Sequence, residues 1–245
     1  MGIFDIFRSV PKVPITSGLS VDIHSHFLPG LDDGVSSFEE AIQTLRYFID
    51  RGYRKVVTSP HIMSDYYRNT PDTINLKLEE LRLKIREHQL QIEIESAAEY
   101  YLDEGFVEKI KKGEKLMTFG ENYLLFETSY LNKPNQLNTV IFDILSAGYK
   151  PILVHPERYQ YIEKFEDFEE IKNRGVLFQV NINSFTGHYS GMSRKFAEQL
   201  VDKQMVNFLG SDCHGPRHLK IMDEAFSTKY YKKALDLPLL NYSLK

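Results

Sequence analysis

The alternation of short apolar runs with amphipathic helical stretches constrains this fold more than any other feature of the chain. Seven strand candidates can be read along it: VDIH (21–24), KVVTSPH (55–61), IEIESAAE (92–99), YLLFE (123–127), PILVH (151–155), VLFQVN (176–181) and VNFLGSD (206–212). Helical signals lie between them. In SSFEEAIQTLRYFIDRG, Ser36 with Glu39 or Ser37 with Glu40 makes a capping box. Phe38, Ile42, Leu45 and Ile49 share one face, and Gly52 suits the left-handed residue that follows a helix. Thr70-Pro71 opens a second helix with Ile74, Leu78, Leu81 and Ile85 on a stripe. NQLNTVIFDILSAG, FEDFEEIKNRG, residues 192–204 and residues 216–235 read as further helices. Strands alternating with helices build a parallel sheet. Seven strands are awkward for a flat doubly wound sheet but natural for a closed, slightly distorted α/β barrel.

The chain has 245 residues and no linker rich in Gly, Pro or Ser, which predicts one domain over 19–245. Residues 1–18 read as a short amphipathic lead-in, its end marked by Pro11 and Pro14. Asp5 and Arg8 interrupt its apolar character, so it does not read as a signal peptide. Ile6 stands where a myristoylation signal after Gly2 needs Ser or Thr. No apolar run approaches the ~20 residues of a membrane span. The net charge of −4 argues against nucleic-acid or membrane-surface binding, which favour a basic chain. Cys213 is the only cysteine, so no disulfide can form within the chain. That is compatible with a reducing cytoplasm, the expected location.

The strand ends carry the chemistry. The first candidate ends in His24, with His26 two residues on, and residues two apart on a strand face the same side. The second runs into His61, the third ends at Glu99, the fourth at Glu127 and the fifth at His155. The seventh ends at Asp212, with His214 just beyond. In parallel α/β barrels the C-terminal strand ends and their loops converge on one place. One histidine after a strand has a bland explanation as a packed or solvated side chain; six strand ends with the same kind of residue do not. Carboxylates that end apolar strands must be paired or bound if buried.

Only histidines and carboxylates appear, without a cysteine cluster, which favours manganese, iron, zinc or magnesium over a structural zinc site. With Asp33 added, the candidate ligands are His24, His26, Asp33, His61, Glu99, Glu127, His155, Asp212 and His214. They are too many for one ion and suit two or three. Paired ions can grip the oxygens of a phosphate. Arg158 follows His155 by three residues and Arg217 follows His214 by three. A guanidinium fork matches phosphate geometry, although either arginine alone could equally be a surface ion-pair partner.

In order, VDIHSH, DDG, TSPH, the Glu after IEIESAA, LLFE, HPERY and SDCH resemble the PHP (polymerase and histidinol phosphatase) superfamily. More narrowly they resemble its bacterial tyrosine-protein phosphatases of capsule and exopolysaccharide operons, the CpsB/YwqE type. The resemblance spans about residues 20–220. It implies a PHP fold, a distorted seven-stranded β/α barrel of TIM-like kind, with three divalent ions, usually manganese or iron and sometimes magnesium or zinc. Carried over by motif, His24, His26, Glu99 and Asp212 hold the first ion. Glu99 bridges to a second, also held by Glu127 and His155. Asp33, His61 and His214 hold the third, Asp33 being the aspartate directly before Gly34. Arg158 binds the phosphoryl group and Arg217 assists. The implied activity is hydrolysis of phosphotyrosine by metal-bound hydroxide, on the tail of a bacterial tyrosine kinase of polysaccharide export.

Three rivals bear weighing. A cysteine phosphatase needs an arginine six positions after its thiol, where this chain has Leu219. A PHP-type phosphoesterase acting on histidinol phosphate or a nucleotide would share all the ligands. A non-catalytic metal-binding interaction module would not need the two arginines. The loop 181–191, with His188, is expected to face substrate.

Overall fold

A computed structural model describes residues 15–244; the expected lead-in lies, over residues 1–14, outside the described residues. Among the described residues, nine strands form two wholly parallel sheets. The smaller has the order β1 (Val21–Asp22), β2 (Lys55–Thr58), β4 (Glu93–Ser96). The larger runs β3 (His61–Ile62), β5 (Glu99–Tyr101), β6 (Tyr123–Glu127), β7 (Lys150–Val154), β8 (Leu177–Asn181), β9 (Phe208–Gly210).

The seven expected strand segments are seen as nine strands shared between two sheets. The second and third candidate segments each break and give one strand to each sheet. Pro60 supplies a reason for the first break, because it has no N–H to continue the ladder. Ala97 and Ala98 bridge the second. Across these breaks the backbone stays tied, by Ser59 N–H to Ser25 O (2.7 Å) and Ala97 N–H to Thr58 O (2.9 Å). Past the ends of β1 and β9, Asp212 N–H donates to His24 O (2.8 Å) and His26 N–H to Cys213 O (3.0 Å).

The helices form largely as their signals predict. In α1 (Phe38–Asp50), Ser37 Oγ accepts from Glu40 N, while Glu40 Oε2 reaches back to Ser36 N–H (2.8 Å). In α2 (Pro71–Glu87), Thr70 caps and Ile74, Leu78, Leu81 and Ile85 are all buried. The unpredicted α3 (Glu104–Lys111) is capped by Asp103. Then come α4 (Leu137–Ser146), α5 (Phe165–Lys172) and α6 (Gly191–Asp202). The single helix expected over 216–235 is two, α7 (Pro216–Ser227) and α8 (Lys229–Leu235). Thr228 separates them: its backbone is extended and its hydroxyl accepts from Tyr231 N–H to start the second. Among the described residues no helix is long and apolar enough to cross a membrane.

Two apolar clusters result. The larger packs the helices onto the sheets. The smaller includes Val21, Ile23, Val57, Ala97, Leu125, Ile152, Val154 and Phe208, with Leu177 against it. Strand alternation continues several of these rows to polar ends. Leu125 leads to Glu127, Ala97 to Glu99, Phe208 to Asp212, and Leu177 to Gln179 and Asn181. An apolar plug therefore lies beneath a polar site.

Candidate metal centre

Sheet register brings the first residues together. His61 pairs with Glu99, and Tyr101 pairs with Glu127 on the next strand. Two further residues reach the site through left-handed backbone, His155 (φ 37°) and Asp212 (φ 48°). That region costs a non-glycine residue about 1–3 kcal/mol and is concentrated at functional sites. The DDG turn brings in the aspartates. A side chain at Gly34 would collide with His26 O and Cβ, so only glycine lets this turn close on the site.

Among the described residues, three groups of donor atoms could each hold a cation: His24, His26 and Asp212; His61, Glu99 and Glu127; and His26, Asp33, His61 and His214. His24 Nε2 and His26 Nε2 face one another at 3.4 Å. Asp212 Oδ1 lies 3.6 and 3.5 Å from them, and Glu99 Oε2 3.1 and 3.5 Å. His61 stands between groups, with Nδ1 3.1 Å from Glu127 and 3.2 Å from Glu99, and Nε2 3.6 Å from Asp33. His214 Nε2 is 3.4 Å from the same Asp33 oxygen. His155 Nε2 lies 3.1 Å from Glu99 and 3.9 Å from Glu127. All nine expected ligands thus meet in one region. His26 and His61 are each shared between two groups, a finer arrangement than the motif carry-over implied.

The carboxylates give the site a field that favours cations. Burial acts to lower His61, yet the Glu99 charge and the hydrogen bond to Glu127 hold it at about 9. Burial likewise opposes charge on His24 and His26, but Glu99 and Asp212 raise the first and Asp32 leads in raising the second. The hydrogen bond from His214 leads in drawing Asp33 down to about 2. Burial dominates at His155 and lowers it to about 4, so this imidazole is neutral at pH 7 and offers a lone pair. Burial, with the Glu99 charge adding to it, raises Glu127.

A cavity of about 450 Å³ opens onto the groups. Asp33, His61, Glu127, His155, Asp212 and His214 line it, as do Arg158, Met63, Tyr101, Tyr130 and Leu131. Arg158 Nη1 donates to Asp212 Oδ2 at 2.8 Å. Its guanidinium lies over Tyr130 (4.8 Å) and Tyr189 (4.1 Å). Burial works against its charge, but Asp212, with Tyr130, Tyr189 and Glu157 adding to it, raises its pKa. Arg217 is not among the cavity-lining residues; it is exposed in the first turn of α7, where its charge acts on Glu40. Of the loop 181–191, residues 182–186 form a buried 3-10 turn, Tyr189 covers Arg158, and His188 is exposed beside His218. Cys213 is wholly buried with Sγ toward Gly215 O.

Asp32, which the DDG motif sets aside in favour of Asp33 as a ligand, accepts with Oδ2 from His26 Nδ1 (2.8 Å) and His61 N–H (3.0 Å). Sequence reasoning assigned no role to Tyr130, Tyr189, Gln179 or Asn181. The two amides recur at alternate positions of an otherwise apolar strand, and that spacing was the available signal.

The family described as "Capsular polysaccharide synthesis, CpsB/CapC" matches residues 20–234. The chain belongs to this family. Among CpsB/CapC relatives, it is 27% identical to the tyrosine-protein phosphatase CpsB of Streptococcus pneumoniae, over 89% of this chain and 94% of that one. It is 24% identical to the tyrosine-protein phosphatase YwqE of Bacillus subtilis, over 79% and 77%. The fold is similar to a crystal structure from work on YwqE and CpsB, described there as unique metal-dependent tyrosine phosphatases. The TM-score is 0.76 at 22% identity, covering 86% of this chain and 90% of that one. An amidohydrolase from Mycoplasma synoviae shares the broader fold, with a TM-score of 0.55 at 13% identity.

Proposed function

We propose that this CpsB/CapC chain is a metal-dependent phosphomonoesterase that hydrolyses phosphotyrosine in proteins. One observation carries the reading: Arg158, its guanidinium over two tyrosine rings, stands in the same cavity as three groups of metal-type donors. The names of the CpsB and YwqE relatives support the substrate class.

The donor set fits divalent ions. His24 and His26 turn their Nε2 atoms toward each other and toward carboxylate oxygens, while their Nδ1 atoms are engaged by Gln179 and Asp32. The nine residues His24, His26, Asp33, His61, Glu99, Glu127, His155, Asp212 and His214 would hold the ions, three by the resemblance, of manganese or iron. Such ions supply Lewis-acid polarisation of the ester and a water acidified towards neutral pH. The chain itself does the rest. Arg158 binds and orients the phosphoryl oxygens and offsets the charge that grows on them. Met63, Tyr101, Tyr130 and Leu131 present apolar surface beside it, suited to an aromatic leaving group. Arg217 would assist only through movement of α7 or by contacting the protein substrate outside the cavity.

The same reading includes a single domain over 19–245 and a distorted seven-stranded barrel, in which the broken segments count as one strand each. The ties between the ends of β1 and β9 support closure. It places the protein in the cytoplasm, acting on a tyrosine kinase tail of polysaccharide export.

The test is hydrolysis of a phosphotyrosine peptide, beside a phosphoserine peptide and histidinol phosphate, by manganese-reconstituted protein and by His155→Ala. Preference for phosphotyrosine, abolished in the variant, is expected. Activity only on another ester would leave the metal centre and remove the tyrosine assignment. No hydrolysis with metal bound would favour a binding module.

A further inference from the structure

Strand β8 offers none of the candidate ligands, yet its interior face carries two wholly buried amides, Gln179 and Asn181. Their hydrogen bonds form a chain whose direction is fixed from one end. Asp212 is a carboxylate and can only accept. Asn181 must therefore turn its Nδ2 to Asp212 Oδ2, at 2.6 Å. That leaves Asn181 Oδ1 to accept from Gln179 Nε2, at 2.8 Å. Gln179 is then forced to turn Oε1 to His24 Nδ1, also at 2.8 Å. An acceptor at Nδ1 requires the proton there, so in the neutral ring that binds a cation the lone pair is on His24 Nε2. This is the atom that faces His26 Nε2, Glu99 and Asp212 Oδ1.

We propose that Gln179 and Asn181 are positioning residues: they set the tautomer of His24 and hold Asp212 so that a divalent cation is bound through His24 Nε2 and Asp212 Oδ1. The assignment rests on the metal centre proposed above. Both ends of the chain serve it. Asp212 Oδ2 is occupied by Asn181 and by Arg158, which leaves Oδ1 for the cation. The relay is itself held in place. Asn181 N–H donates to Glu157 Oε1 (2.9 Å), and Asn181 Nδ2 also reaches Tyr189 OH (3.2 Å). Gly210 makes the room: a Cβ there would lie 2.8 Å from Gln179 Nε2 and 2.9 Å from His24 Cβ.

Outer partners of metal-binding histidines of this kind are worth about 10–100-fold in metal affinity. Gln179→Met keeps length and volume but removes both the acceptor and the donor. Manganese alone, followed by the electron-spin signal of the free ion, is the probe. In the variant one class of site should weaken by about 10–100-fold, while sites built on His61, Glu127, Asp33 and His214 keep their affinity. Uniform weakening of every class would mean a structural defect and overturn the positioning role. So would unchanged binding in the variant when the parent binds normally. A parent that binds no manganese would end the metal-centre reading and this inference with it. A second measurement needs no variant. In zinc-loaded parent protein labelled with nitrogen-15 histidine, long-range proton–nitrogen spectra should place the His24 proton on Nδ1; a proton on Nε2 would refute the relay.

Discussion

Replacing Arg158 by Met tests the proposed chemistry most directly. Its side chain is 22% exposed, with one N–H committed to Asp212 at 2.8 Å and its guanidinium over the rings of Tyr130 and Tyr189. A guanidinium has five N–H donors, so those left over remain for an incoming phosphoryl group. Each charge-assisted hydrogen bond is worth about 1.5–3 kcal/mol. Losing a two-pronged contact of the kind that stabilises developing charge should lower kcat/KM on a phosphotyrosine peptide by about 10²–10³-fold. Asp212 Oδ2 keeps its Asn181 donor, so manganese affinity should fall by less than about tenfold. The inhibition constant for inorganic phosphate should rise in parallel with the loss of activity. Arg158→Lys keeps a point charge without the fork and should recover only part of the loss. A Met variant with kcat/KM within about threefold of the parent, half a kcal/mol or so, would refute the assignment of the phosphoryl group to Arg158.

Three further outcomes are expected. Chelation should abolish hydrolysis, and manganese at about 100 times its dissociation constant should add about 2.7 kcal/mol of stability; a thermal midpoint unmoved by manganese would contradict the donor geometry. Cys213→Ser should keep most activity, because the thiol is wholly buried and burial pushes its pKa up, away from the thiolate; complete loss in a folded variant would revive a thiol mechanism. Asp223 accepts from Arg51 Nε (2.7 Å) and Nη2 (2.8 Å) and from Tyr47 OH (2.7 Å), and the Arg51 hydrogen bond leads in holding its pKa below the usual range. A depressed carboxylate contributes stability above its unfolded pKa and loses it as pH falls through the folded one. Asp223→Asn should therefore cost about 1–2 kcal/mol at neutral pH, the parent–variant gap closing below about pH 4 in urea titrations; a gap that persists there would show that the charge is not what matters.

Much of this arrangement was legible because periodicity and ligand chemistry are local signals. Ile74, Leu78, Leu81 and Ile85 announce α2 by spacing alone, and all four are buried. His24, Glu99 and His155 announce the site because each ends an apolar run. What was illegible depends on the backbone in three dimensions. Nothing in KVVTSPH says that β2 and β3 enter different sheets. The eight residues of α3 are too few for a strong periodic pattern, and their best local sign is the Asp103 cap. Arg217 looked equivalent to Arg158 because both follow a histidine by three. Pro156 lies in a 3-10 turn that keeps Arg158 over the cavity, whereas Pro216 begins α7 and Arg217 is left exposed.

Charge explains why the amides of β8 escaped notice and also why they suit their place. The centre already gathers Asp33, Glu99, Glu127 and Asp212, with Asp32 behind them. Another carboxylate beneath His24 would add buried negative charge beside Asp212. An apolar residue would leave His24 Nδ1 without a partner, and an unpartnered buried donor costs about 1–3 kcal/mol. A primary amide does neither, since it accepts at one end and donates at the other without adding charge. Two amides in series span the distance from Asp212 to His24, so the orientation of a carboxylate from β9's end is passed to a histidine from β1's end. His26 solves the same problem with Asp32, and His214 with the carbonyl of Asp212 at 2.9 Å. In all three the Nδ1 atom is engaged away from the cluster and Nε2 is directed into it. His61 is set the other way, with Nδ1 toward Glu99 and Glu127, so the donor atom at each histidine follows from the partner its own backbone position supplies.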